Sequence, residues 1–91
     1  MKASKDFILR EIAGEYILVP AGAASAKLNG LITLNELGWF IFKTLETEQT
    51  LDSLTDAITA EYDVEREVAR ADALEFLQQL DKVGALEGAP E

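Results

Sequence analysis

A helix that is apolar nearly all the way round can only sit in the middle of a fold. The stretch Asn29–Leu45, NGLITLNELGWFIFKTL, contains such a helix. Leu31–Leu34 is a short apolar run that reads as a strand, and it passes directly into positions bearing Leu37, Trp39, Phe40, Ile41, Phe42 and Leu45. A helix with so little polar surface must be covered by other elements. Asn35 is placed to start it, since an Asn side-chain oxygen accepts a free amide of the first turn. Glu36 adds negative charge where the helix dipole favours it. The helix is expected to end near Glu46, and the pieces before and after it are its covers.

Before it, Phe7–Ile12 (FILREI) and Glu15–Val19 (EYILV) are rich in β-branched and aromatic residues and read as strands. Ala13-Gly14 between them suggests a tight hairpin. Ile8, Arg10 and Ile12 share one face of the first strand, and Phe7, Leu9 and Glu11 share the other. Pro20 has no amide hydrogen for a ladder and is expected to end the second strand. Residues Pro20–Gly30 (PAGAASAKLNG) read as a loop closed by an Asn29-Gly30 turn. Met1–Asp6 is polar and expected to fray.

After it, Thr50 can cap a second helix whose apolar stripe is Leu51, Leu54, Ile58 and Tyr62. A third helix is expected after Asp63, as N-cap, and to stop at Gly84. Ala69, Ala73, Phe76, Leu80 and Val83 form its central stripe, with Arg70, Leu74, Leu77 and Asp81 on a flank beside it. Leu86 is expected to fold back on the core, ahead of a loose tail Gly88–Glu91. The order β-β-β-α-α-α predicts an α+β fold, with three helices closing one face of a small antiparallel sheet. The length, 91 residues, fits a single domain over 1–91 with its core at about residues 7–86.

Composition removes most chemistry. With no His and no Cys there is no disulfide framework, no thiol chemistry and no usual ligand for zinc or soft metals. The carboxylates do not follow the spacing of a calcium loop. Ser4, Ser25 and Ser53 lack a His partner. The pairs Glu65/Glu67 and Asp52/Asp56 fall on helix faces that read as solvated, so no catalysis and no cofactor are expected. Gly22 and Gly30 are too far apart for a nucleotide-cradling loop. There is no run of 18 apolar residues to span a membrane and no secretory h-region, so a cytoplasmic address is expected.

Charge argues against nucleic acid. The net charge is −9, with +1 in residues 1–45 and −10 in residues 46–91. Phosphate backbones would be repelled by the second half. Trp39 and Phe42 could stack on bases, but their place in the most apolar helix makes them core. Arg66 and Arg70 lie one turn apart and could touch phosphates, but two arginines among so many acids are a weak signal for DNA, and pairing within the chain, with Glu67 or Asp63, is the plainer reading.

What remains is binding through secondary structure. If the strands form a meander, Leu31–Leu34 is paired on one side only, and an unpaired strand edge is a template for another strand. An extended peptide can add there, taking main-chain hydrogen bonds from the edge and side-chain pockets from its surroundings. The Leu74/Leu77 flank offers an apolar wall for such a pocket. The same two residues are equally well read as covering Leu86 or the second helix.

The opening hairpin FILREIAGEYILVP, the segment NGLITLNELGWFIF, the pattern LDSLTDAITAEYDV and the terminal DALEFLQQLDKVGALE, in that order, resemble the PqqD-like family of RiPP recognition elements. The resemblance covers about Phe7–Leu86. It implies a winged-helix-like fold of three strands then three helices. It also implies a non-catalytic task, capturing the leader segment of a ribosomally made precursor peptide and presenting it to a modifying enzyme, most often a radical SAM maturase. In that family the leader adds beside the third strand and lies against the third helix. Carried over by position, the ladder comes from Leu31, Ile32, Thr33 and Leu34, and the helical wheel supplies Arg70, Leu74, Leu77 and Asp81 as the wall. Any iron–sulfur chemistry would be the enzyme's, because this chain has no cysteine to hold a cluster. The loop PAGAASAKLNG departs from the PQQ-pathway proteins, and the chain is more similar to stand-alone family members. Two other expectations stand beside this one, a winged-helix DNA-binding regulator and an interaction domain that forms a homodimer through the same edge.

Overall fold

The chain runs β1 (Lys2–Ala3), β2 (Phe7–Ile12), β3 (Glu15–Pro20), β4 (Ile32–Leu34), α1 (Glu36–Thr44), α2 (Leu51–Glu61), α3 (Arg66–Lys82) and β5 (Leu86–Glu87). This computed structural model describes residues 1–22 and 31–90. The expected Asn29-Gly30 turn lies outside them.

A two-residue turn fixes the register of the sheet. Ala13 (φ 54°) and Gly14 (φ 83°) both have positive φ, the backbone of the hairpin turn whose twist matches that of the flanking strands. Ile12 therefore faces Glu15, and the antiparallel pairing continues to Phe7 opposite Pro20. β4 joins the far side of β3, with Tyr16 opposite Leu34 and Leu18 opposite Ile32. The strand order is β2-β3-β4, and with its three helices the fold is α+β. Pro20 is the last residue of β3 rather than the first beyond it. It is tolerated because alternation from the turn makes Phe7–Pro20 a pair that exchanges no hydrogen bonds.

α1 begins as its sequence dictates. The Gly38 amide donates to Asn35 Oδ1 at 2.7 Å, Ile41 and Phe42 are buried, and Leu45 caps the helix in full burial. Trp39 is half-buried and stacks on Tyr16 of the sheet, ring centroids 5.1 Å apart. α2 opens with a reciprocal cap in which the Ser53 amide donates to Thr50 Oγ1 and the Thr50 amide donates to Ser53 Oγ. Its buried Thr55 donates to the Leu51 carbonyl at 2.7 Å, so burial leaves that hydroxyl satisfied. The α2 end meets α1 where Tyr62 packs edge-on to Phe40. Burial, and then the Glu36 carboxylate, raise the Tyr62 phenol's pKa above its ordinary value.

Two expectations are corrected. α3 starts two residues later than the sequence suggested. Its N-cap is Glu65, with no side-chain cap, because the Val64 amide turns back to the Tyr62 carbonyl and places Asp63 in that turn. Nor does the N-terminus fray among the described residues. Lys2–Ala3 pairs with Leu86–Glu87, the Ala3 amide donates to the Leu45 carbonyl at 2.8 Å, and Ala3 is buried. Short as it is, β1 ties the end of α1 to the segment that follows α3. Gly84, at φ 77°, ends α3 as a left-handed residue.

Candidate functional site

β4 borders the sheet. Among the described residues it is paired to β3 and to nothing on its other side. Because Tyr16–Leu34 and Leu18–Ile32 are the hydrogen-bonded pairs with β3, alternation turns the amide and carbonyl of Thr33 outward. Of the four residues expected to supply a ladder, Thr33 faces the open side with its backbone, and Leu31 precedes the strand, which begins at Ile32. Ile32 and Leu34 face β3 with theirs and aim their side chains under the sheet toward the helices.

There they form one side of a cavity of about 300 Å³, lined by Ile32, Thr33, Leu34, Asn35, Phe76, Gln79, Leu80 and Val83. The opposite side is thus α3. A second cavity, about 290 Å³, continues past the α1 N-terminus between Leu37, Gly38 and Ile41 on one side and Asp72, Glu75, Phe76 and Gln79 on the other. The two share Asn35, Phe76 and Gln79, so together they make one groove running along β4 and over the start of α1. The end beside β4 is apolar and the end beside α1 carries two carboxylates. Gly38 sets the groove's depth. A Cβ there would stand 3.1 Å from Phe76 Cε1, closer than side chains comfortably pack, so only glycine lets the ring lie this near α1.

The face of α3 that lines the groove differs from the one the helical wheel supplied. Leu77 is 0% exposed and belongs to the core with Ala69, Ala73 and Leu80, so a bound chain has no access to it. Arg70, Leu74, Leu77 and Asp81 line neither cavity. At 3.6 residues per turn, Arg70, Leu74 and Asp81 lie on the opposite flank of the buried stripe from Phe76, Gln79 and Val83. That flank faces α2, where Arg70 pairs with Asp52 and Arg66 with Asp56. These partners, rather than Glu67 or Asp63, hold the two arginines. Phe76 and Val83, which the spacing places on the central stripe of the helix, are half-buried and line the groove. The missing signal was long-range. Both flanks are equally amphipathic, and only the position of α2 shows which one is used up.

An open strand border beside a helix-walled groove, with no cluster of His, Cys, Asp or Glu able to hold a metal among the described residues, defines a binding domain of the kind that takes up an extended chain. The family model for coenzyme PQQ synthesis protein D (PqqD) matches residues 15–86, and the chain belongs to that family. Its fold is similar to that of a solved structure, TbiB1 in complex with the TbiA(beta) leader peptide, with a TM-score of 0.79, 28% identity and 100% of each chain covered. No curated protein matches the chain.

Proposed function

We propose that this chain captures the leader segment of a ribosomally made precursor peptide and holds it for a modifying enzyme, performing no chemistry itself. The observation that carries the proposal is the outward backbone of Thr33 beside the apolar end of the groove. A leader adds as a fourth strand, exchanging hydrogen bonds with Thr33. Its inward side chains enter the space between Ile32, Leu34, Phe76, Leu80 and Val83. Each ladder bond contributes about 1 kcal/mol net, whereas one fully buried Leu or Ile anchor contributes about 1.5–3 kcal/mol. The side-chain groove, more than the ladder, therefore selects the leader. The similarity to a protein solved with a leader peptide supports this reading. The enzyme is expected to be a radical SAM maturase, and the setting cytoplasmic; no helix among the described residues is long and apolar enough to cross a membrane.

No observation favours a nucleic-acid reading, since Arg66 and Arg70 are engaged by the α2 carboxylates. The test is an amide-shift titration with the leader of a precursor encoded beside this gene. Shifts are expected at Leu31, Thr33, Gln79 and Val83, with Arg70 and Leu74 quiet. A saturating titration that leaves Leu31 and Thr33 unmoved overturns the strand-addition reading. Sedimentation of the chain alone tests whether a second copy occupies the same border.

A further inference from the structure

The sheet has a second open border. Among the described residues β2 is paired only to β3. Counting from the two-residue turn, the hydrogen-bonded pairs are Ile12–Glu15, Arg10–Ile17 and Ile8–Val19, so the amides and carbonyls of Leu9 and Glu11 turn outward. At this border lies a cavity of about 530 Å³, larger than either part of the β4 groove. Its lining takes Phe7 and Leu9 from one face of β2 and Ile8 from the other, which places it at the strand's edge. Lys2 and Lys5 close it from the N-terminal segment, and Phe42 and Lys43 from the end of α1.

Charge and exposure here run against the rest of the molecule. The chain has eight Lys and Arg residues and a net charge of −9, yet three lysines line this one cavity, with Glu46 the sole carboxylate among the lining residues. Arg10 stands on the outer face of the same strand. None of these four cations has an ion-pair partner among the described residues, unlike Arg66 and Arg70. Lys43 Nζ lies 5.6 Å from the centre of the Trp39 ring, which orients the ammonium without neutralising it. Glu87 sits opposite Lys2 and accepts from the Lys5 amide at 3.4 Å. Ile8 and Ile12, 40% and 56% exposed, are two of the four most exposed large apolar residues among the described residues, and both are on β2.

We propose that the β2 border is a second docking edge, for an extended, acidic segment of a partner protein that carries apolar side chains between its carboxylates. The outward groups of Leu9 and Glu11 pair its backbone. Lys2, Lys5 and Lys43 meet its carboxylates on the inner face, and Ile8 and Ile12 take its apolar residues on the outer face, where Arg10 adds positive charge. Strand addition supplies the geometry, and the cations select against neutral or basic segments. This proposal does not depend on what β4 binds, and the two borders lie on opposite sides of β3, so both can be filled at once.

The experiment uses the full isotope-labelled chain and two capped six-residue peptides, matched to the six residues of β2. One alternates Glu and Val; the other has Lys in place of each Glu. The acidic peptide is expected to shift Leu9, Glu11 and Lys43 saturably while Thr33 stays still, and the basic peptide to do nothing there. Combining Lys5→Glu with Lys43→Glu is expected to weaken the acidic peptide by roughly tenfold or more, and added salt to weaken it for the unaltered chain. Equal binding of both peptides, shifts confined to β4, or an unchanged affinity in the doubly substituted chain overturns the proposal. So does self-association of the free protein through Leu9 and Glu11, which would assign the border to a second copy.

Discussion

The two flanks of α3 start from the same sequence pattern and end differently. Arg70, Leu74 and Asp81 lie on the side taken by α2, where arginine–aspartate pairs span the helix interface. Phe76, Gln79 and Val83 lie on the side turned to β4 and the start of α1, where one cavity separates α3 from the strand and a second separates it from α1. A helix face stays open to a partner through what its neighbours leave undone. α2 and α3 are joined by a link of a few residues and pack along their length. β4 offers only three residues, and α1 is held off α3 by the Phe76 ring lying on Gly38.

The sharpest way to break the comparison is at the stripe between the flanks. Leu77 is completely buried, so Leu77→Ala is expected to cost about 3 kcal/mol of stability through lost burial and the cavity left behind. Chemical denaturation measures this. If the variant keeps its stability and loses leader binding instead, Leu77 belongs to the groove and the assignment of flanks is wrong. Next comes Thr33→Pro on the open side. The Thr33 amide points away from β3, so a proline there removes no bond within the sheet. It does remove one ladder donor and brings a ring against the incoming chain. Leader affinity is expected to fall by about tenfold or more, with a much smaller change in stability. Equal losses of both would mean that the Thr33 amide serves the fold.

A subtler change sharpens the picture from the α1 side. Gly38→Ala gains about 1 kcal/mol of helix propensity, but the new methyl group meets Phe76 Cε1 at 3.1 Å and Asn35 Oδ1 at 3.2 Å. The two effects oppose each other, so thermal stability should move by less than about 1 kcal/mol in either direction. The ring must shift by a few tenths of an ångström, and leader affinity should drop severalfold. An unchanged affinity would show that the Phe76 position does not matter to the bound peptide.

Much of this was legible from short stretches. The hairpin, the Asn35 and Thr50 caps and the Gly84 stop are local. Each follows from a residue or two whose backbone or side-chain chemistry admits few alternatives. The open β4 border followed from strand order. The β1–β5 pair was not legible, because two-residue strands separated by most of the chain carry no periodicity. The choice of flank on α3 was not legible either. Phe76 and Val83 looked like core because they are apolar, and Leu77 looked like a flank because it lies to one side of Ala73 and Leu80 on a wheel centred too near Phe76. Once Ala69, Ala73, Leu77 and Leu80 are seen to be buried, the centre of the stripe moves toward Leu77, and Phe76 moves to its margin.

The smallest expected effect lies on the closed flank, and it tests the comparison from the other direction. Arg70 and Asp52 are 49% and 70% exposed, and solvent screens such a pair to about 0.5 kcal/mol or less. Arg70→Ala should therefore barely change stability, and a double-mutant cycle with Asp52→Ala should give a coupling energy of that size which shrinks as salt is added. Its effect on leader affinity should be nil, because nothing on this flank borders the groove. A loss of binding in Arg70→Ala with stability intact would place the leader across both flanks of α3, and the division between a used side and an open side would no longer hold.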